Sequence, residues 1–137
     1  MYSTPYIFFQ GNCAEACRYY EKKLGARVLR LMTYGDSPAA GHVSPDLKDK
    51  VIHAHLTIGN TAILAADSPP EQWSGKAAGY AMTLAVDGVD NVEKVFTALA
   101  DGGKVGMPLG KTFFAESFGM VTDRFGIPWM VICETPL

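Results

Sequence analysis

Two stretches of this chain carry the same punctuation a fixed distance apart. Asn12 stands before an apolar-periodic run that Gly25 closes, and Asp90 and Gly103 frame a second run, with both framing pairs displaced by 78 positions. Glu15 lies three residues after the first cap, and Cys13, Ala16, Cys17, Tyr20 and Leu24 recur on one helical face. Glu93 follows Asp90 in the same way, and Val92, Val95, Phe96 and Leu99 form the second face. A polar cap, an acid three residues on and a closing glycine are helix start and stop signals. The spacing predicts helices over 13–24 and 91–100, and a chain built twice on one plan.

The strands repeat as well. PYIFF at 5–9 and YAMTLAV at 80–86 precede the two helices, and three strands follow each: 26–34, 51–58 and 61–66, then 104–112, 113–122 and 127–133. The polar segment 35–50 has no counterpart in the second half, so the later strands are offset by less. The fold expected is α+β: tandem βαβββ modules at 1–66 and 80–137, joined by the Pro/Ser/Gly-rich linker 67–79, forming one domain over 1–137 with a curved mixed sheet. A four-stranded sheet with one helix has one covered face and one bare face. Two such sheets side by side make a concave, mostly apolar trough, the shape that holds small molecules.

Composition removes several classes of partner. With a formal net charge of -2 and no Lys/Arg cluster, no nucleic-acid surface is expected. No apolar run approaches the roughly 20 residues that span a bilayer, so no membrane partner is expected either. The N-terminal MYSTPYIFFQGN lacks a basic and a long apolar region, and Cys13, Cys17 and Cys133 are odd in number with no C-x-x-C pair. Both features predict a cytoplasmic protein with reduced, buried thiols. No glycine-rich strand–loop–helix start is present to hold a dinucleotide or S-adenosylmethionine, and no cofactor is expected.

The polar residues with most chemical scope are His53 and His55, in KVIHAHLTIG at 50–59. Two apart on a strand, they share one face. Imidazole serves as metal ligand, general base or hydrogen-bond partner. Glu116, among the aromatics of TFFAESFG, is the carboxylate placed to partner His55 in metal-free acid–base chemistry. Tyr20, Trp129 and Phe118 read as core or wall, and Asp123 and Gly126 as makers of the turn before the last strand.

PYIFFQGNCAEACRYYEKKLGA at 5–26, the KVIHAHLTIG strand and TFFAESFGMVTDRFGIPWM at 112–130 make the chain resemble the vicinal oxygen chelate superfamily of glyoxalase I, extradiol dioxygenases and bleomycin-resistance proteins. It looks most like the PhnB-type branch, whose members also carry a 3-demethylubiquinone methyltransferase label that the missing glycine-rich loop argues against. The resemblance implies a homodimer and a site on the inward strand faces. Metal-using members take ligands from four strand positions, which fall here on Pro5, His55, Ala81 and Met130. Only one of these suits such an ion, so no metal is expected. The parity set by His55 makes His53 and Thr57 its companions, and the overlay adds Ile7, Phe9, Thr83, Met130 and Ile132 as ligand-binding residues. The function expected is binding of a small, largely apolar molecule. The alternatives are a metal-dependent lyase or dioxygenase, and a metal-free enzyme using His55 and Glu116.

Overall fold

The computed structural model describes residues 1–73 and 75–134. The chain divides between residues 74 and 75 into two compact units. The first contains β1 (Tyr6–Phe9), α1 (Cys13–Leu24), β2 (Arg27–Thr33), β3 (Val51–Ile58) and β4 (Thr61–Asp67), with sheet order β1-β4-β3-β2. The second contains β5 (Met82–Ala85), α2 (Val89–Ala100), β6 (Lys104–Gly110), β7 (Ala115–Thr122) and β8 (Pro128–Glu134), in the order β5-β8-β7-β6. In each, the strand before the helix pairs in parallel with the last strand, and the other pairings are antiparallel. The βαβββ plan is therefore realised twice.

α1 buries Cys13, Ala16, Cys17 and Tyr20 of the stripe its sequence spacing predicts, leaving Leu24 half-buried, and Gly25 ends it at φ 69°. α2 buries Val92, Phe96 and Leu99 but begins at Val89, with Gly88 in the N-cap position rather than Asp90. Asp90 sits in the first turn instead, where a carboxylate favours the helix dipole without capping. Gly119 lets α2 lie close on its sheet, since a Cβ there would stand 2.7 Å from the Phe96 ring.

One buried carboxylate organises the first unit. Asp67, 2% exposed, ends β4. Its Oδ1 accepts from the backbone N–H groups of Gly11 (2.9 Å) and Cys13 (3.0 Å), and its Oδ2 from Val51 N–H (2.9 Å). The expected cap, Asn12, makes no side-chain capping bond, and Asp67 takes that role from the adjoining strand, where it is in register with Phe9. The Tyr34 hydroxyl donates to the Asp67 carbonyl at 2.8 Å. Burial, then the nearby Asp67 charge, pushes that hydroxyl above its ordinary pKa, so it stays a donor through neutral pH.

Asp123 plays a comparable part in the second unit. At 3% exposure it accepts from Phe125 N–H, Ile127 N–H and Trp129 Nε1–H. The sequence pattern marked it only as a turn residue. The structure makes it the polar anchor of the buried Trp129 as well.

An Asn at 67 keeps one acceptor oxygen but turns an amide N–H₂ toward backbone donors. We expect Asp67→Asn to destabilise the protein by about 2–4 kcal/mol, the loss of charge-assisted bonds plus a mispaired buried group. Urea unfolding should show a lower midpoint with an unchanged slope. Asp46→Asn, on the exposed loop, should leave the midpoint where it was, and equal effects of the two changes would contradict the role given to Asp67.

Candidate functional site

The first sheet has one face under α1 and one face away from it. Strand register fixes which residues occupy the far face. Tyr6, Leu64, His55 and Arg30 stand side by side across β1, β4, β3 and β2. Ala62, Thr57 and Arg27 form the neighbouring row, and Met32 stands opposite His53. His53, His55 and Thr57 thus share a face, as their spacing predicts.

Ile7 and Phe9 do not join them. Both are 2% exposed, and Ile7 is in register with Ala65, which pairs with Ala54 on the α1 side. The far-face residues of β1 are Tyr6 and Phe8, 40% and 55% exposed. All four residues of YIFF are apolar or aromatic, so alternation offered no contrast from which to read the parity.

Tyr6 and Phe8 stack with ring centroids 4.9 Å apart. The Tyr6 hydroxyl lies 3.0 Å from His53 Nδ1, with the two rings 5.8 Å apart. Partial burial pushes the Tyr6 hydroxyl above its ordinary pKa, so at neutral pH it carries its proton. In the tautomer of His53 protonated at Nε2 the hydroxyl donates to Nδ1 and Nε2–H points away from this bond as a donor, and in the tautomer protonated at Nδ1 the hydroxyl accepts. No described residue hydrogen-bonds the His55 ring.

A departure from alternation completes this face. Arg27 and Arg30 are three residues apart, which an unbroken strand would place on opposite faces. A register shift between Val28 and Arg30 leaves Arg27 opposite Thr57 and Arg30 opposite His55. Opposite residues project to the same side, so both guanidiniums belong to the far face. The run ARVLRLMTY gives no sign of the bulge, and sequence reasoning missed both arginines.

In the second unit, Thr83 pairs with Met130, Met130 with Met120, and Met120 with Met107, and Ile132 pairs with Ala85 and Phe118. Thr83, Met130 and Ile132 therefore share the face away from α2, a flexible thioether-rich surface suited to apolar contacts. Glu116 is not on it. Its Oε2 is 3.8 Å from Cys133 Sγ, and it lines a shallow pocket of about 350 Å³ with Val89 and Glu93 of α2. A register shift between Ala115 and Ser117 accounts for this turn toward the helix side. The expected role of Glu116 beside the inward strand residues loses its geometric basis.

A second concavity, about 940 Å³, lies under the 35–50 segment and includes Tyr34, His42, Leu47, Lys50 and Glu71 in its lining. Lys50 Nζ donates to the Gly11 carbonyl at 3.0 Å. Two 3₁₀ turns, Ala40–His42 and Pro45–Leu47, give this segment its shape.

The four superfamily metal positions do not fit an ion. His55 is flanked in register by Leu64 and by the cationic Arg30, while the Pro5 carbonyl already accepts from Leu64 N–H. Ala81 has no donor, and the Met130 thioether suits soft ions, not the oxygen-loving ones. Among the described residues no three His, Cys, Asp or Glu side chains form a group able to hold a metal. Cys13 and Cys17 are buried and free, and the hydrogen bond between them, with burial, pushes the Cys13 thiol far up and keeps it neutral.

Residues 5–131 match the family described as the Glyoxalase/Bleomycin resistance protein/Dioxygenase superfamily. The chain is 37% identical to Protein YjdN of Escherichia coli K12 over 93% of its own length and 92% of that protein. Protein PA1353 of Pseudomonas aeruginosa shares 44% identity and superposes with a TM-score of 0.89 over 99% of both chains. A PhnB protein of Bacillus cereus, 23% identical, superposes at 0.80 over 97% of this chain and 99% of that one, a likeness of fold.

The donor set yields a direct expectation. Elemental analysis of untagged protein should find no zinc, nickel, manganese or iron near one per chain, and a chelator should leave the melting temperature unchanged. A stoichiometric ion would overturn the reasoning from Pro5, Ala81 and Met130 and direct attention to His53 and His55.

Proposed function

The chain belongs to the glyoxalase/bleomycin resistance protein/dioxygenase superfamily, and from that premise we propose that it binds a small, largely apolar molecule on the far face of its first sheet, without the superfamily's metal. One observation carries this: the row Tyr6–Leu64–His55–Arg30 sets an aromatic and an aliphatic surface beside an imidazole that no described residue engages. Such a surface takes an apolar body, and His55 takes its polar handle. We place the protein in the cytoplasm, in keeping with three free buried cysteines. Among the described residues no helix is long and apolar enough to cross a membrane.

We also propose that the protein acts as a homodimer. Edge strand β2 of the first unit exposes Leu29, and edge strand β6 of the second exposes Val105 and Met107; each is an open edge that invites coverage by a second chain. Sedimentation at micromolar concentration should give twice the 14.8 kDa chain mass, and a monomer would refute the pairing.

A second location is favoured by volume alone, the cleft containing His42. The two are separated by a melting-shift screen of metabolites followed by affinity measurements on the first hit. His55→Ala should weaken binding by roughly 1–3 kcal/mol, about 5- to 150-fold, through an unpaired polar group on the ligand. His42→Ala should leave affinity unchanged. The reverse pattern would move the site to the cleft.

A further inference from the structure

We infer that the polar handle is an oxyanion on a planar body, so that the ligand class is a small aromatic carboxylate. This rests on the far-face site proposed above and adds the charge and shape of what fills it. The chain as a whole is acidic, with a net charge of -2. The far face of the first sheet departs from that balance. Its strand residues include Arg27, Arg30, His53 and His55, and no Asp or Glu occupies a far-face position in the register of β1 to β4. No described carboxylate pairs with either arginine, whereas Arg124 pairs with Asp101 at 3.2 Å.

Two guanidiniums without counter-ions among the described residues, on a face that also presents imidazole donors, favour an anion. Bidentate geometry favours a planar carboxylate in particular. The Tyr6 contact engages His53 Nδ1, and in the tautomer where the hydroxyl donates to it the other ring nitrogen carries the N–H that an oxyanion would take. At the other end of the row, the stacked Tyr6 and Phe8 rings offer an aromatic surface. From β1 to β2 the row crosses three strand intervals, about 14 Å, part of which the Arg30 stem bridges. A one- or two-ring acid fits with its ring toward Tyr6 and its carboxylate toward Arg30.

The test compares 2-naphthoate with its neutral isostere 2-naphthamide, titrated into the full chain while the imidazole signals of His53 and His55 are followed. We expect the acid to bind about three- to tenfold more tightly, as for a partly exposed charge pair, with the preference shrinking as salt is added. Arg30→Met should reduce the preference, the double change Arg27→Met with Arg30→Met should bring acid and amide close to level without weakening the amide, and Arg124→Met should leave the preference intact. Equal binding of acid and amide in the parent, or a preference that survives undiminished in the double arginine variant, would overturn the anionic assignment while leaving the far-face site in place. If neither compound moves the two imidazoles at millimolar concentration, the site and the assignment fall together.

Discussion

The Asp67 carboxylate is the constraint on which the first unit depends. It ends β4, and from there it holds the turn into α1 through Gly11 and Cys13 and the start of β3 through Val51. Three backbone donors from two segments converge on one buried group. Each would be costly to leave unpaired, so the register of β3 against β4 and the entry angle of α1 are set together. That register decides which way His53 and His55 face. In the second unit Asp123 secures the last turn and the indole of Trp129 by the same device.

On the far face the superfamily's metal positions carry side chains that suit an ion poorly. Proline and alanine at two of those positions offer no side-chain donor, and the cationic Arg30 stands opposite His55 in register. The β2 bulge is what puts Arg27 and Arg30 on one face. An unbroken strand would turn one of the two arginines toward α1, where the Ala54 and Leu56 side of the sheet is buried.

Much of the architecture was legible in the chain, because caps and apolar periodicity are local signals. The order of elements, the span of α1 and the shared face of His53, His55 and Thr57 all follow from them. The repeat was legible in plan but not as a fixed offset. Helix starts at Cys13 and Val89 are 76 apart, while the buried residues Cys13, Cys17 and Tyr20 correspond to Val92, Phe96 and Leu99 at 79. The errors fall where local patterns carry no contrast. YIFF is apolar throughout, so the parity that buries Ile7 and Phe9 and presents Tyr6 and Phe8 is decided by pairing with β4. Bulges in β2 and β7 re-aim Arg30 and Glu116, and Asp67 and Asp123 acquire their roles only from segments brought to them by the fold.

The central claim is that the far face of the first sheet, and not the cleft beneath the 35–50 segment, receives the ligand. Backbone and methyl chemical-shift mapping with the first confirmed metabolite hit tests it most directly. The account predicts that the largest changes fall on Ala62, Leu64 and Thr57, with Val43, Leu47 and Ile52 of the cleft unmoved. Changes concentrated on Val43, Leu47 and Ile52, with Leu64 and Thr57 silent, would contradict it.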